Sequence, residues 1–486
     1  MKLEAHLVCW LNNGKNTMKL TIENLGAIDY ALLELADLTI ICGENNSGKT
    51  YITYLVYCLL TTWRHFIDTD LRGDLRTLRT DGFAKIDLQK KIADPWTKLC
   101  EEALGRFLDA FPEMMASKNE LFAKLVIQLD IPLGVSWKTR EFKDELRSPS
   151  GNLLATLSKP SNSNELELVS LQSEEMSSQS MSSIGKFIEE RLFKMMLEES
   201  IPDVFIASTE RTGATTFRKQ LNLATSKLLE LFSQAHKEGA DSMTPARVFE
   251  TMYSRQEYAL PVRRNVQFIN QLPDANTENG DLHKEFPMLL GKFEAIVGGT
   301  YITSKEGLTV FQPTGSKLKI GLGEVSSSVR SLLIVWYWLK HFAKKGDMLM
   351  LDEPELNLHP TNQRRLARFI ASLVNHGIKV FLTTHSDYIV KELNTLIMLN
   401  QESPKLNDIL KKLPDYTPED KLNPERMALY MARDEKMLRP GGQRKTKIKT
   451  LIRATISPTL GVEAMSFDET IEDMNAVQEA IYYGLN

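Results

Sequence analysis

The apolar residues of this chain gather into short runs separated by longer amphipathic stretches, and the runs read as buried strands. Leu20 and Ile22 alternate with Lys19, Thr21 and Glu23, the period of a half-buried strand. The folded pattern therefore begins near Met18, a candidate alternative start, and residues 1–17 carry no assignable element. Further runs are Leu38-Thr-Ile-Ile-Cys42, Val204-Phe-Ile-Ala207, Met348-Leu-Met-Leu351 and Val380-Phe-Leu-Thr-Thr384. Helix-compatible residues fill Tyr51 to Leu60, and Leu332 to Leu339 is apolar throughout, as a buried helix would be. Helical periodicity is also expected over 217–238 and 284–296, and Tyr301 to Phe311 reads as a hairpin turning at Lys305-Glu-Gly307. Strands alternating with helices predict an α/β fold.

Residues 61–200 differ: they are charged and helix-favouring, with Phe187, Ile188, Leu192, Met195 and Met196 along one helical face. A mostly helical insertion is expected there. Ser158 to Ser183 reads as an exposed loop, in which Glu165-Leu-Glu-Leu168 has the makings of a short strand. The resulting division is 1–60, the insertion 61–200, a return to the main fold at 201–300, its completion at 301–400, and a small C-terminal appendage at 401–486.

With 42% hydrophobic and 25% charged residues, the composition is that of a soluble globular protein. No apolar run reaches the ~20 residues of a membrane span. Residues 1–17 lack a long apolar core for a secretory signal, so a cytoplasmic chain is expected. Four cysteines without a Cys-x-x-Cys pair argue against a disulfide framework or a zinc site. A net charge of −4 leaves nucleic-acid binding to a local basic patch. The best such patch is Arg439, Arg444, Lys445, Lys447, Lys449 and Arg453 around Pro440-Gly-Gly442; a merely solvated face is the other reading.

Gly43-Glu-Asn45-Asn46-Ser47-Gly48-Lys49-Thr50 sits between a strand and a helix, the context in which glycines let backbone N–H groups converge on phosphate oxygens. Lys49 is then placed for the β- and γ-phosphates, Thr50 for Mg²⁺, and the helix N-terminus for the anion. The Met348 strand ends in Asp352 and Glu353 at the edge where α/β sheets bind ligands. Asp352 suits the Mg²⁺ shell, and Glu353 suits the base that orients an attacking water. His385 leaves the next strand where a γ-phosphate is sensed, though a packed structural histidine is the plainer reading of it alone. Ser326, Ser327 and Ser328 precede the apolar helix, as an N-cap or as anion-binding hydroxyls.

In this order, GENNSGKT, EVSSSVRSL, MLMLDEPELNLHP and FLTTHS resemble the ABC-type ATPase heads of the SMC, RecF and OLD families, and most nearly the compact OLD-like AAA ATPases of antiphage systems such as Septu, retrons and PARIS. The resemblance implies an ABC-type P-loop NTPase head with ATP and Mg²⁺ as cofactors. It makes Gly43–Thr50 Walker A, Asp352 and Glu353 Walker B, Ser326–Ser328 the signature, His385 the switch histidine and Asn357–His359 the D-loop. It also implies that two heads close around nucleotide, each signature meeting the other's γ-phosphate, in a homodimer or higher oligomer. The sequence departs from the pattern in its Ser-Ser-Ser signature and in lacking a recognisable Q-loop glutamine. Glu210-Arg211 is the substitute candidate, or else a salt bridge. No Toprim arrangement is visible in 396–486, so the implied role is a regulatory ATPase whose effector, a nuclease or toxin, is a separate protein encoded nearby, triggered by DNA or a phage protein. A DNA-repair ATPase with a coiled-coil insertion and an ATP-gated scaffold with little turnover are the competing readings.

Overall fold

A computed structural model describes residues 18–134, 136–147, 153–170, 178–198, 200–216, 258–273, 276–304, 308–401, 403–438, 444–459, 461–462 and 474–483. The expected helix at 217–238, the turn Lys305–Gly307, and Arg439 with Pro440–Gly442 lie outside them. Along the chain come strands β1 (Lys19–Leu25), β2 (Ile28–Glu34), β3 (Leu38–Gly43), β4 (Phe83–Asp87), β5 (Val126–Asp130), β6 (Phe142–Arg147), β7 (Leu153–Lys159) and β8 (Glu165–Ser170). Then follow β9 (Val204–Ala207), β10 (Gly299–Thr303), β11 (Thr309–Pro313), β12 (Ile320–Gly321), β13 (Met348–Asp352), β14 (Lys379–Thr384), β15 (Met427–Leu438) and β16 (Lys445–Arg453). All four apolar runs, together with the alternating stretch after Met18, are strands.

The chain forms two compact units: Met1–Lys19, Asp68–Leu99 and Leu129–Ile201 in one, and Leu20–Ile67, Cys100–Gln128 and Pro202–Asn486 in the other. The larger holds a nine-stranded sheet in the order β5-β1-β2-β16-β15-β3-β14-β13-β9. From β15 to β9 every neighbouring pair is parallel. Parallel strands buried on both faces read as continuous apolar runs, which is how β3, β13 and β14 are written. Leu38, Ile40, Leu349, Leu351, Val380, Leu382, Leu429 and Met431 join one core with the helices Ser327–His341, Pro360–Asn375 and Asp387–Met398. The alternation of a strand then puts Asp352 and Thr383 on the opposite face, where helix Lys49–Thr62 lies against β3, β14, β13 and β9.

Two regions hold more strands than the sequence reading expected. The stretch expected to be mostly helical contains a four-stranded antiparallel sheet, β4-β8-β7-β6, beside helices Arg72–Asp81 and Ser178–Leu197. Its strands are short and heavily charged, but Ala84 and Ile86, Ala155 and Leu157, and Leu166 and Leu168 alternate onto a buried face. The stretch expected to be an appendage supplies β15 and β16 to the main sheet, and β15 lies directly beside β3. Met427-Ala-Leu-Tyr-Met-Ala432 is buried throughout, because both neighbours cover it. Beyond Ala432 the two strands continue as an antiparallel ribbon with alternating exposure. Among the described residues no helix is long and apolar enough to cross a membrane. Cys42 and Cys58 are buried free thiols.

Candidate active site

The parallel register aligns three strand ends: Thr383 pairs with Asp352 on one side and with Ile41 on the other, and Thr384 pairs with Cys42. What leaves these strands therefore meets at one edge. β3 ends at Gly43 (φ 149), and a Cβ there would lie 2.5 Å from the carbonyl oxygen of Ala432. Gly48 (φ 93) caps helix Lys49–Thr62, and a Cβ there would lie 2.8 Å from the Ile28 side chain. Both positions demand glycine by backbone and by space. Asn46 takes φ 60, which asparagine tolerates better than most residues. The Lys49 ammonium donates to the carbonyls of Gly43 (3.1 Å) and Glu44 (2.9 Å), tethered across the loop. Burial lowers its pKa, opposed by the nearby charges of Glu353 and Asp352.

The two adjacent carboxylates have opposite surroundings. Asp352 is fully buried; its Oδ1 accepts from Thr383 Oγ1, and its Oδ2 has no partner among the described residues. Burial pushes its pKa up to about 6. Glu353 leaves the strand in a left-handed turn (φ 47), its N–H bonded to Thr383, and its Oε1 lies 3.0 Å from Nε2 of His385. That hydrogen bond holds the Glu353 carboxyl below its usual range against the effect of burial. A cavity of about 540 Å³ opens between Glu353 and His385 on one side and Asn45, Asn46, Ser47, Gly48, Lys49 and Thr50 on the other.

The residues present fit magnesium. Among the described residues no three His, Cys, Asp or Glu side chains cluster as a ready cage. Mg²⁺ needs none, because it takes one or two protein oxygens and fills its shell with water and phosphate. An unpartnered buried carboxylate oxygen on Asp352 and the Thr50 hydroxyl at the first turn of the loop's helix are such a set.

Three residues of this edge carry contacts that pattern reading did not foresee. Arg211 is buried, and its guanidinium donates to the carbonyls of Ser208, Ser331, Asp352 and Glu353, at 2.7 to 3.0 Å. It therefore staples β9, the serine-headed helix and the acidic turn, with four of its five N–H donors directed at backbone carbonyls. Glu210 accepts from Tyr54 Oη at 2.8 Å, so the pair takes separate partners instead of forming the salt bridge considered for it. Glu355 accepts from the His385 N–H (2.5 Å) and Thr384 Oγ1 (2.8 Å), fixing the exit of β14 from below. Its one sequence signal was a second carboxylate two residues past Glu353.

Ser326–Ser328 are not among the residues lining this cavity. Ser326 caps helix Ser327–His341 by accepting from Val329 N (3.4 Å), and its hydroxyl lies 2.7 Å from that of Ser328. Arg330 donates to the Val325 carbonyl (2.7 Å) and to Ser327 Oγ (3.4 Å). Asn357 (φ 65) and His359 are exposed, and His359 caps the helix that begins at Pro360. In the basic patch, Lys447 pairs with Asp434 (3.0 Å) and Arg453 with Glu34 (2.6 Å), so part of its charge is neutralised within the chain.

A glycine-bounded loop joining a central parallel strand to a helix, in a sheet of this order, defines a P-loop NTPase of the α/β class. The chain belongs to the AAA ATPase domain family, whose model matches residues 18–390. No curated protein sequence matches it. Solved structures similar to it include an Smc head bound to the C-terminal winged-helix domain of ScpA, at 10% identity over 90% of this chain and 98% of that one, with a TM-score of 0.32. Another is the Pyrococcus furiosus Smc head with an extended coiled coil, bound to the C-terminal domain of ScpA, at 12% identity over 95% and 99%, TM-score 0.31. The SMC head domain from Thermotoga maritima matches at 9% identity over 91% and 100%, TM-score 0.29.

Proposed function

We propose that the protein binds ATP with Mg²⁺ in the Gly43–Thr50 cradle, hydrolyses it, and does so as a dimer of heads closed around nucleotide. The observation that carries the reading is the convergence on one cavity of Lys49, Thr50, Glu353 and His385, with the lone Oδ2 of Asp352 buried behind them. The loop N–H groups and the ammonium of Lys49 bind the β- and γ-phosphates. Asp352 and Thr50 hold the magnesium, which neutralises phosphate charge when bound. Glu353, kept ionised by its hydrogen bond from His385, orients and deprotonates the attacking water. His385 holds that carboxylate in place and faces the γ-phosphate. Ser326–Ser328 supply a helix N-terminus and hydroxyls to the γ-phosphate of a second copy.

The motif resemblance carries the biological part of the reading. The ATPase is the sensing and regulatory subunit of a bacterial antiphage system, and its opening and closing governs a separate effector, a nuclease or toxin. Light scattering of the purified chain with and without ATP–Mg²⁺, alongside phosphate release, tests the enzymatic core. ATP should convert monomers to dimers, and Lys49→Ala should lose binding by about 100-fold, the scale of losing a charge-assisted contact. Unchanged ATP affinity in Lys49→Ala would overturn the assignment of the cradle.

A further inference from the structure

The Gly43–Thr50 loop is supported from outside by a part of the chain that lies beyond the matched family segment 18–390. β15 runs in register with β3 as far as Ala432 opposite Gly43, close enough that Ala432 alone forbids a side chain there. Past that point the support by packing stops. A cavity of about 450 Å³ separates Glu44, Asn45 and Ser47 from Arg433, Asp434 and Glu435 of the ribbon. The Ser47 hydroxyl is buried and has no hydrogen-bond partner among the described residues. Among the described residues Lys449 of β16 bridges the gap, donating from Nζ to the carbonyl of Asn46 at 3.3 Å.

The anchor of that bridge is firm. The Lys449 N–H donates to Asp29 Oδ2 of β2 at 2.9 Å, and the neighbouring Thr450 pairs with Tyr30. Asp434, opposite Lys449 in the ribbon, is ion-paired to Lys447 at 3.0 Å. Asn46 is a non-glycine loop residue held at positive φ (60). Its carbonyl and the N–H of Ser47 belong to one planar trans peptide and point in opposite directions, so fixing the carbonyl fixes the direction of that loop donor.

We propose that Lys449 is a positioning residue, which holds Asn46 so that the loop keeps the shape its nucleotide requires. The inference rests on the reading of Gly43–Thr50 as the nucleotide cradle. It assigns to the C-terminal ribbon a part in nucleotide affinity and takes Lys449 out of the set of cations free for nucleic acid. Because the contact shapes the loop and does not meet the γ-phosphate, ATP and ADP should weaken together.

The test is calorimetric titration of the full chain with ATP–Mg²⁺ and with ADP–Mg²⁺, together with steady-state kinetics and thermal melting. Lys449→Ala should raise the Kd of both nucleotides about five- to tenfold, the scale of one solvent-exposed hydrogen bond. KM should rise with it, while kcat and Tm stay near wild type, and Lys449→Arg should restore affinity. Lys447→Ala, two residues along the same strand face, should bind as wild type. A Kd for Lys449→Ala within twofold of wild type overturns the inference, and so does an equal loss in Lys447→Ala, which would mean bulk charge alone. Lys49→Ala separates the two levels: if it loses binding while Lys449→Ala does not, only the role of Lys449 fails. If Lys49→Ala binds normally, the cradle itself is misplaced.

Discussion

The carboxyl edge of the parallel sheet and the start of the serine-headed helix are both polar, yet they are built differently. At the sheet edge the groups are tied to one another: Glu353 by His385 and Thr383, His385 by Glu355, and the acidic turn by Arg211. At the helix start the hydroxyls bond mainly to each other and to their own first turn. A site whose parts are over-determined within one chain is set up for chemistry on a bound ligand. One whose hydroxyls are satisfied only locally leaves the helix N-terminus free for an anion brought by something else. The contrast is the physical basis of the proposal that the first serves one head and the second an opposing head.

The strongest way to sharpen that contrast is Glu353→Gln. Removing the base should cut kcat by roughly 10²- to 10⁴-fold while ATP still binds, and dimers should persist in ATP. Single-turnover phosphate release with light scattering checks both, and wild-type turnover would remove Glu353 from the role. Next comes Glu355→Ala, which frees the backbone of His385. It should lower kcat by about tenfold with little change in ATP Kd, and Glu355→Gln should recover part of the loss. Equal losses in kcat and in Tm for both variants would reduce Glu355 to a packing residue.

Replacing Ser327 and Ser328 by alanine should spare ATP affinity in the monomer and reduce ATP-dependent dimerisation and turnover by about tenfold, read by sedimentation and phosphate release. Those two are preferred to Ser326, whose loss as a cap costs about 1 kcal/mol by itself. Loss of monomer ATP affinity instead would place the serines in their own head's site and erase the contrast.

A separate effect, on stability, concerns Asp352, whose pKa stands at about 6 against an ordinary 3.8. Between those values the unfolded chain releases this proton while the folded chain keeps it, so stability falls as pH rises through the window and stays lowered above it. Asp352→Asn should therefore stabilise the nucleotide-free protein above pH 6, by at most ~3 kcal/mol less the cost of an unpaired amide donor, and should not do so below pH 4. In the wild type, Mg²⁺-dependent nucleotide binding should weaken as pH falls below about 6, and the variant should lose the Mg²⁺ dependence. Melting curves across pH and magnesium titrations read the two effects, and a flat difference in Tm from pH 4 to 8 would contradict the burial argument.

Much of this was determined locally along the chain. The run Leu38–Cys42 followed by glycines and Lys49, and Met348–Leu351 followed by two carboxylates, are written in consecutive residues. Strand period and glycine sterics alone place a phosphate loop and an acidic turn after buried strands. The small unit's sheet was less legible, because its strands are short and charged, with two or three buried positions in β4, β7 and β8 and none in β6.

What only the tertiary structure decided is which distant segments stand beside these. The apolar run Met427–Ala432 does not say that its partner is β3, nearly 400 residues earlier in the chain, since parallel pairing is set by the packing of the whole sheet and not by a turn. Arg211 gave no sign of gathering four carbonyls, nor Glu355 of holding His385, nor Lys449 of reaching Asn46. In each case a polar side chain finds its partner through space, after burial has fixed the strands that carry both.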